Sequence, residues 1–100
     1  MKAKNQPMVH EYELKLFVSG ASPNSVKAIN NIQRIMELHA SGNYNLQIID
    51  VYQEKAVAQT EQIVALPMLI KKRPLPEQRL IGDMSNELKV VRGLGLKQDV

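Results

Sequence analysis

Residues 11–28 read EYELKLFVSGASPNSVKA. Tyr12, Leu14, Leu16 and Val18 alternate with Glu11, Glu13 and Lys15, and Phe17 is the only apolar residue on the second face. That period of two predicts a half-buried strand ending at Val18. Ser19 to Ser25 then breaks it, with Gly20 free to take backbone angles other residues avoid. Ser22 followed by Pro23 is a helix start: a hydroxyl caps the first turn, and Pro sits where a missing N–H costs nothing. Val26, Ala28, Ile29, Ile32, Ile35, Met36 and His39 follow at three- and four-residue spacing, which puts one apolar stripe on a helix reaching about Ala40. Gly42 suits the left-handed residue past its end.

Outward from this segment the pattern continues. Leu46 to Tyr52, LQIIDVY, reads as a second strand, apolar enough to be covered on both faces. Strand, helix and strand make a βαβ unit, which implies parallel strands and a right-handed crossover. Glu54 to Ala65 is rich in helix formers, with Val57, Ile63 and Val64 as candidate buried positions. Leu66 to Lys71 reads as a strand opened by Pro67, Lys72 to Glu77 as a turn, and Gln78 to Ile81 as a short strand before Gly82. Ser85 or Asn86 caps a last helix, Glu87 to about Leu94, with Gly93 and Gly95 ending or fraying it. The order is β-α-β-α-β-β-α, an α/β chain of the minimal thioredoxin-like kind. Pro67 at the head of a strand of this fold is expected cis.

The chain has 100 residues, 44% apolar and 23% charged, which fits one domain spanning residues 1–100. Residues 1–8 read as a flexible tail. There is no Cys, so disulfides, thiol catalysis and Cys-type zinc sites are excluded. His10 and His39 fall on different elements, so no metal site is expected and no cofactor is implied. No apolar run approaches the ~18–20 residues of a membrane span. The first residues lack the apolar stretch of a signal peptide. A cytoplasmic protein is expected. A net charge of +3 is too weak to argue for nucleic acid. Tyr12, Tyr44 and Tyr52 have no evident common face with basic residues, so base stacking is not expected. Gly93-Leu94-Gly95 follows a helix and lacks a third Gly, so it is no phosphate loop.

Where thioredoxin-like enzymes carry their C-x-x-C pair, after the first strand, this chain has Ala21-Ser22-Pro23-Asn24. Four blocks sharpen the match: Leu14 to Ala28, Leu46 to Tyr52, Ile63 to Lys71 and Arg79 to Leu96, the last reading RLIGDMSNELKVVRGLGL. In their order and spacing these blocks resemble the KaiB family of the cyanobacterial circadian clock. The resemblance implies a binding protein and not an enzyme. It implies docking on the hexameric ATPase KaiC, sequestering of the activator KaiA, and competition with a histidine kinase that has a thioredoxin-like sensor domain. It also implies two packings. A free homotetramer, with a dimer as the smaller alternative, takes the order β-α-β-β-α-α-β and is the expected resting form. A monomer takes the thioredoxin-like order and binds partners. Residues 9–52 are the constant half and residues 53–100 the variable half. Pro67, Gly93 and Gly95 lie where the switch between packings would turn.

Three departures from the clock-type pattern imply a divergent homologue. Those proteins carry A-T-P-T-L around the proline, where this chain has Ala65-Leu66-Pro67-Met68-Leu69. They carry Asp at the position of Gly95, and they end in an acidic tail.

Lys71, Lys72 and Arg73, with Arg79 nearby, form the basic cluster. It reads either as a solvated hairpin tip or as a docking patch for an acidic partner; the resemblance favours the patch. As surface residues, Lys71 to Arg73 would be replaceable by Ala with little effect on stability. Asp50 reads as a turn cap and His39 as a helix-edge residue. Val64, Leu66, Met68, Leu69 and Ile70 form an apolar segment expected to need cover from another subunit. The competing function class is a thioredoxin-fold enzyme with a non-Cys site, for instance one binding glutathione at Pro67.

Overall fold

The computed structural model describes residues 10–96. The period-two segment forms β1 (Tyr12–Val18), and the Ser22-Pro23 start opens α1 (Pro23–Ala40). Ser22 Oγ accepts a hydrogen bond from the Ser25 N–H, as a helix cap should, and Gly42 takes φ +74° just beyond the helix end. Five further elements follow: β2 (Tyr44–Asp50), α2 (Lys55–Thr60), β3 (Met68–Arg73), β4 (Gln78–Ile81) and α3 (Glu87–Leu94).

The sheet order is β2-β1-β3-β4, with β1 and β2 parallel and the other pairs antiparallel. The second half therefore holds the thioredoxin-like order, not the order expected of a resting tetramer. Local sequence favours it. KAVAQT is made largely of helix formers. Asn86 Oδ1 accepts from the Lys89 N–H at the start of α3. Gly95, at φ +69°, closes α3 in the left-handed conformation.

α1 and α3 cover one face. Leu14, Leu16, Val18, Ile32, Ile35, Met36, Leu69, Val91 and Leu94 lie in one buried cluster there. Phe17, Ile49, Met68 and Ile70 form a smaller cluster on the other face, with Val57 and Ile63 packed against it. Full burial of an aliphatic side chain is worth ~1.5–3 kcal/mol, so the larger cluster contributes most of the apolar stabilisation.

Several boundaries differ from the sequence reading. β2 starts at Tyr44 and buries only Ile49, because it is an edge strand and not an interior one. α2 covers only Lys55–Thr60, since Gln62 takes φ +57° and stops it. β3 runs on through Lys72 and Arg73, which a sequence reading assigns to the turn. Leu66-Pro67 is cis, as expected, and so are Arg73-Pro74 and Leu75-Pro76. Met68, Leu69 and Ile70 are buried within this one chain, so the apolar segment needs no second subunit over most of its length. Val64, 86% exposed, and Leu66 remain outside the core. The tail at residues 1–8 and the last four positions lie outside the described residues.

Candidate functional site

In thioredoxin-like enzymes the chemistry sits at the start of the first helix. Here that place is filled by hydroxyls that bind one another. Ser22 Oγ donates to Ser25 Oγ at 2.8 Å, and the Ser19 N–H donates to the same Ser25 oxygen at 3.0 Å. Ser25 is fully buried. Asp50, at the end of β2, closes the adjoining turns: its Oδ1 accepts from the N–H groups of Gly20 (3.2 Å) and Tyr52 (2.9 Å). These groups serve the turn. His39 lies at the far end of α1, where its Nε2 is 3.2 Å from Glu87 Oε2. No nucleophile is paired with a base here, and thiolate chemistry has no sulfur to use. Among the described residues no group of three or more His, Asp or Glu is placed to hold a metal ion.

The basic cluster is divided by the sheet. Side chains alternate along β3, so Lys71 and Lys72 point to opposite faces. Lys71 lies under α3 at 4% exposure, its Nζ 3.4 Å from the Leu94 carbonyl oxygen at the end of that helix. The expectation that Lys71 is a replaceable surface residue is therefore corrected: β3 carries it into the α3 face. The pairing register slips between Glu13 and Leu14, leaving Glu13 opposite Arg73 and Leu14 opposite Lys71. Arg73 is exposed.

Lys72 and Arg79 meet on the α2 face around an acid that sequence reasoning did not single out, Glu61. Its side chain is 14% exposed. Lys72 Nζ donates to Glu61 Oε1 at 2.9 Å, and Lys15 Nζ to Oε2 at 3.4 Å. Arg79 donates to the Glu61 carbonyl oxygen at 2.8 Å, and Glu77 Oε1 lies 3.4 Å from Lys72 Nζ. The Lys72 hydrogen bond, reinforced by Lys15, holds the Glu61 carboxyl below its ordinary value against the opposing effect of burial. The same bond raises the Lys72 ammonium. Within this cluster of ion pairs three cations stand against two carboxylates. It ties the end of α2 to the open side of the sheet. The signal that could have found it is the alternation of β1, which places Lys15 on the second face beside Phe17, the face that α2 covers.

Pro67 opens β3, and its carbonyl accepts from the Gly82 N–H at 3.0 Å, tying the head of β3 to the end of β4. Gly93 lies inside α3, where a Cβ would come within 2.8 Å of a Leu80 methyl. Gly95 needs its positive φ and has open space around it.

A thioredoxin-like frame with its catalytic turn converted to serine hydroxyls defines a class: thioredoxin-fold proteins without thiol chemistry. Comparison with known proteins narrows it. The family model described as KaiB domain matches residues 15–96, and the chain belongs to the KaiB family. It is similar to the "Circadian clock oscillator protein KaiB" of Synechococcus elongatus, 45% identical over 85 residues, covering 85% of this chain and 83% of that protein. The protein of the same name from Thermostichus vulcanus is 43% identical over 90 residues, covering 90% of this chain and 83% of its own length. Among solved structures, the N-terminal domain of Synechococcus elongatus SasA superposes with a TM-score of 0.69 at 24% identity, covering 95% of this chain and 93% of that one. Mitochondrial thioredoxin 3 from Saccharomyces cerevisiae gives 0.69 at 11% identity, covering 86% and 78%. At those identities the likeness is one of fold.

Proposed function

We propose that this chain is a non-enzymatic docking protein of the KaiB type. Its partner in this reading is a KaiC-like ATPase, whose phosphorylation state it modulates in circadian timing or stress adaptation. A KaiA-like activator and a sensor histidine kinase are the further partners, the resting form is a homotetramer or dimer of this chain, and the place is the cytoplasm. Residues 9–52 act as the constant half. Residues 53–100 act as the variable half, turning about Pro67, Gly93 and Gly95.

One observation carries the reading. The fold keeps the thioredoxin-like frame while the helix start that would activate a thiol is closed by Ser19, Ser22 and Ser25 bonding one another. Such a frame is suited to recognition by its surface. Lys72, Arg73 and Arg79 supply positive charge for an acidic face, and Lys71, on the opposite face of the sheet, acts by tying β3 to the end of α3.

The test mixes the purified chain with a KaiC-like ATPase and follows the complex by size-exclusion chromatography with light scattering. A complex is expected that weakens with salt and in the Lys72→Ala, Arg73→Ala, Arg79→Ala variant. Absence of any complex would overturn the reading, as would turnover in a glutathione thiol-transfer assay.

A further inference from the structure

β4 is an edge strand, paired with β3 and with no other strand among the described residues. An edge strand offers unpaired backbone N–H and C=O groups to any extended chain laid beside it. Beside β4, on the α3 side, runs an open groove of about 480 Å³. Leu80 from β4 and Leu88 and Gly93 from α3 line it, and Lys89 and Arg92 stand on the same helix beside them. Gly93 lets Leu80 approach the helix closely, so the floor is apolar and shallow. Leu88 is 49% exposed although it is a large aliphatic residue.

The charge at this groove has one sign. Lys89 and Arg92 are exposed, and no carboxylate lines the groove with them. The acid of α3, Glu87, is engaged elsewhere: Arg34 of α1 donates to its Oε1 at 2.9 Å, and His39 is on its Oε2. The groove thus combines a backbone edge, an apolar floor and two cations.

We propose that this groove binds an extended acidic segment of a partner protein, laid along β4 as an added strand with aliphatic side chains on Leu80 and Leu88 and carboxylates toward Lys89 and Arg92. Strand addition at a sheet edge draws affinity from main-chain hydrogen bonds and selectivity from alternate side chains. A nucleic acid would satisfy the two cations but not the aliphatic floor, and no aromatic ring lines the groove for a base to stack on. The groove lies on the α3 side of the sheet and the Glu61 cluster on the α2 side, and β4 belongs to both through Arg79. The Lys89→Glu, Arg92→Glu variant leaves Lys72, Arg73 and Arg79 intact, so this proposal and the docking reading above can fail independently.

The test is an NMR titration of the isotope-labelled full chain with three probes: a capped decapeptide of alternating Glu and Leu, its Lys–Leu counterpart, and oligothymidine. The acidic peptide is expected to shift the amides of Gln78–Ile81 and Leu88–Gly93. Binding should weaken about tenfold or more in the Lys89→Glu, Arg92→Glu variant, and also in Leu88→Ala. Both variants change exposed side chains, and circular dichroism checks that they fold. No shift at these residues, an equal response from the charge-reversed variant, or an equal response to the Lys–Leu peptide would overturn the proposal. The same footprint from oligothymidine at comparable strength would overturn it in favour of plain anion binding.

Discussion

On the face covered by α1 and α3, a continuous apolar cluster runs from Tyr12 to Leu96; on the α2 face, four buried residues are followed by a ring of charges around Glu61. The two faces share strands but close by different means. Apolar packing depends little on salt or pH, whereas ion pairs at a partly wet surface are worth little and are easily exchanged for others. α2 has no fully buried residue and is six residues long, too short to hold itself together. The α1/α3 face therefore maintains the frame, and the α2 face is the part held more loosely.

The sharpest way to break this comparison is to delete core atoms on each side. Leu16→Ala, in the large cluster, should lower unfolding free energy by about 2–5 kcal/mol. Ile63→Ala, partly buried against the small cluster just past α2, should cost about 1 kcal/mol. Denaturant titrations read both, and equal losses would erase the distinction between the faces.

Next in size is the divided lysine pair. Lys71→Ala removes a buried stem and a donor to the Leu94 carbonyl, and should cost about 1–3 kcal/mol. Arg73→Ala, exposed, should stay within about 0.5 kcal/mol. A silent Lys71→Ala in thermal unfolding would place that side chain outside the α3 face.

The two glycines of the last helix should respond with opposite signs. Gly95→Ala forces a side chain into the left-handed region and should destabilise α3 by about 1 kcal/mol. Gly93→Ala removes a helix-interior glycine, a gain of up to about 1 kcal/mol. The clash is with the end of the half-buried Leu80 side chain, which can rotate away. The sequence reading treated both glycines as one lever on the fold, but their backbone angles make them two. Helix content and melting temperature of the single variants check this.

The smallest effect is pH-dependent. Because Glu61 titrates lower in the folded chain, its stabilisation is complete above the ordinary carboxylate range and is lost as pH falls through its lowered value. Wild type should exceed Glu61→Gln by no more than about 1 kcal/mol at neutral pH, and the gap should close in acid. A gap that is constant with pH would show that the ion pairs do not hold α2.

What the sequence disclosed follows the same division. The frame was legible because β1 alternates strictly and Ser22-Pro23 opens a long amphipathic helix, both of them local signals. The site was less legible. Lys72-Arg73 beside Pro74 looks like a turn, and Lys71 at the strand's end looks like surface, because three successive cations suggest solvent; only the pairing of β3 with β1 shows that the strand runs on and sends Lys71 inward. Glu61 was missed for a related reason. Its partners Lys15, Lys72 and Arg79 come from three strands, and only the completed sheet brings them together. The exposure of β2 likewise depends on strand order, which its apolar composition does not encode.

Native-state amide hydrogen exchange tests the unequal faces most directly, since it reads the opening free energy of each element in one sample. Amides of β1, β3 and the middle of α1 should exchange only through global unfolding. Those of α2 and of the segment through Val64 should exchange through openings of much lower free energy, and lower still at acid pH. If α2 is protected as strongly as α1, the two faces open as one unit and the division drawn between them is wrong.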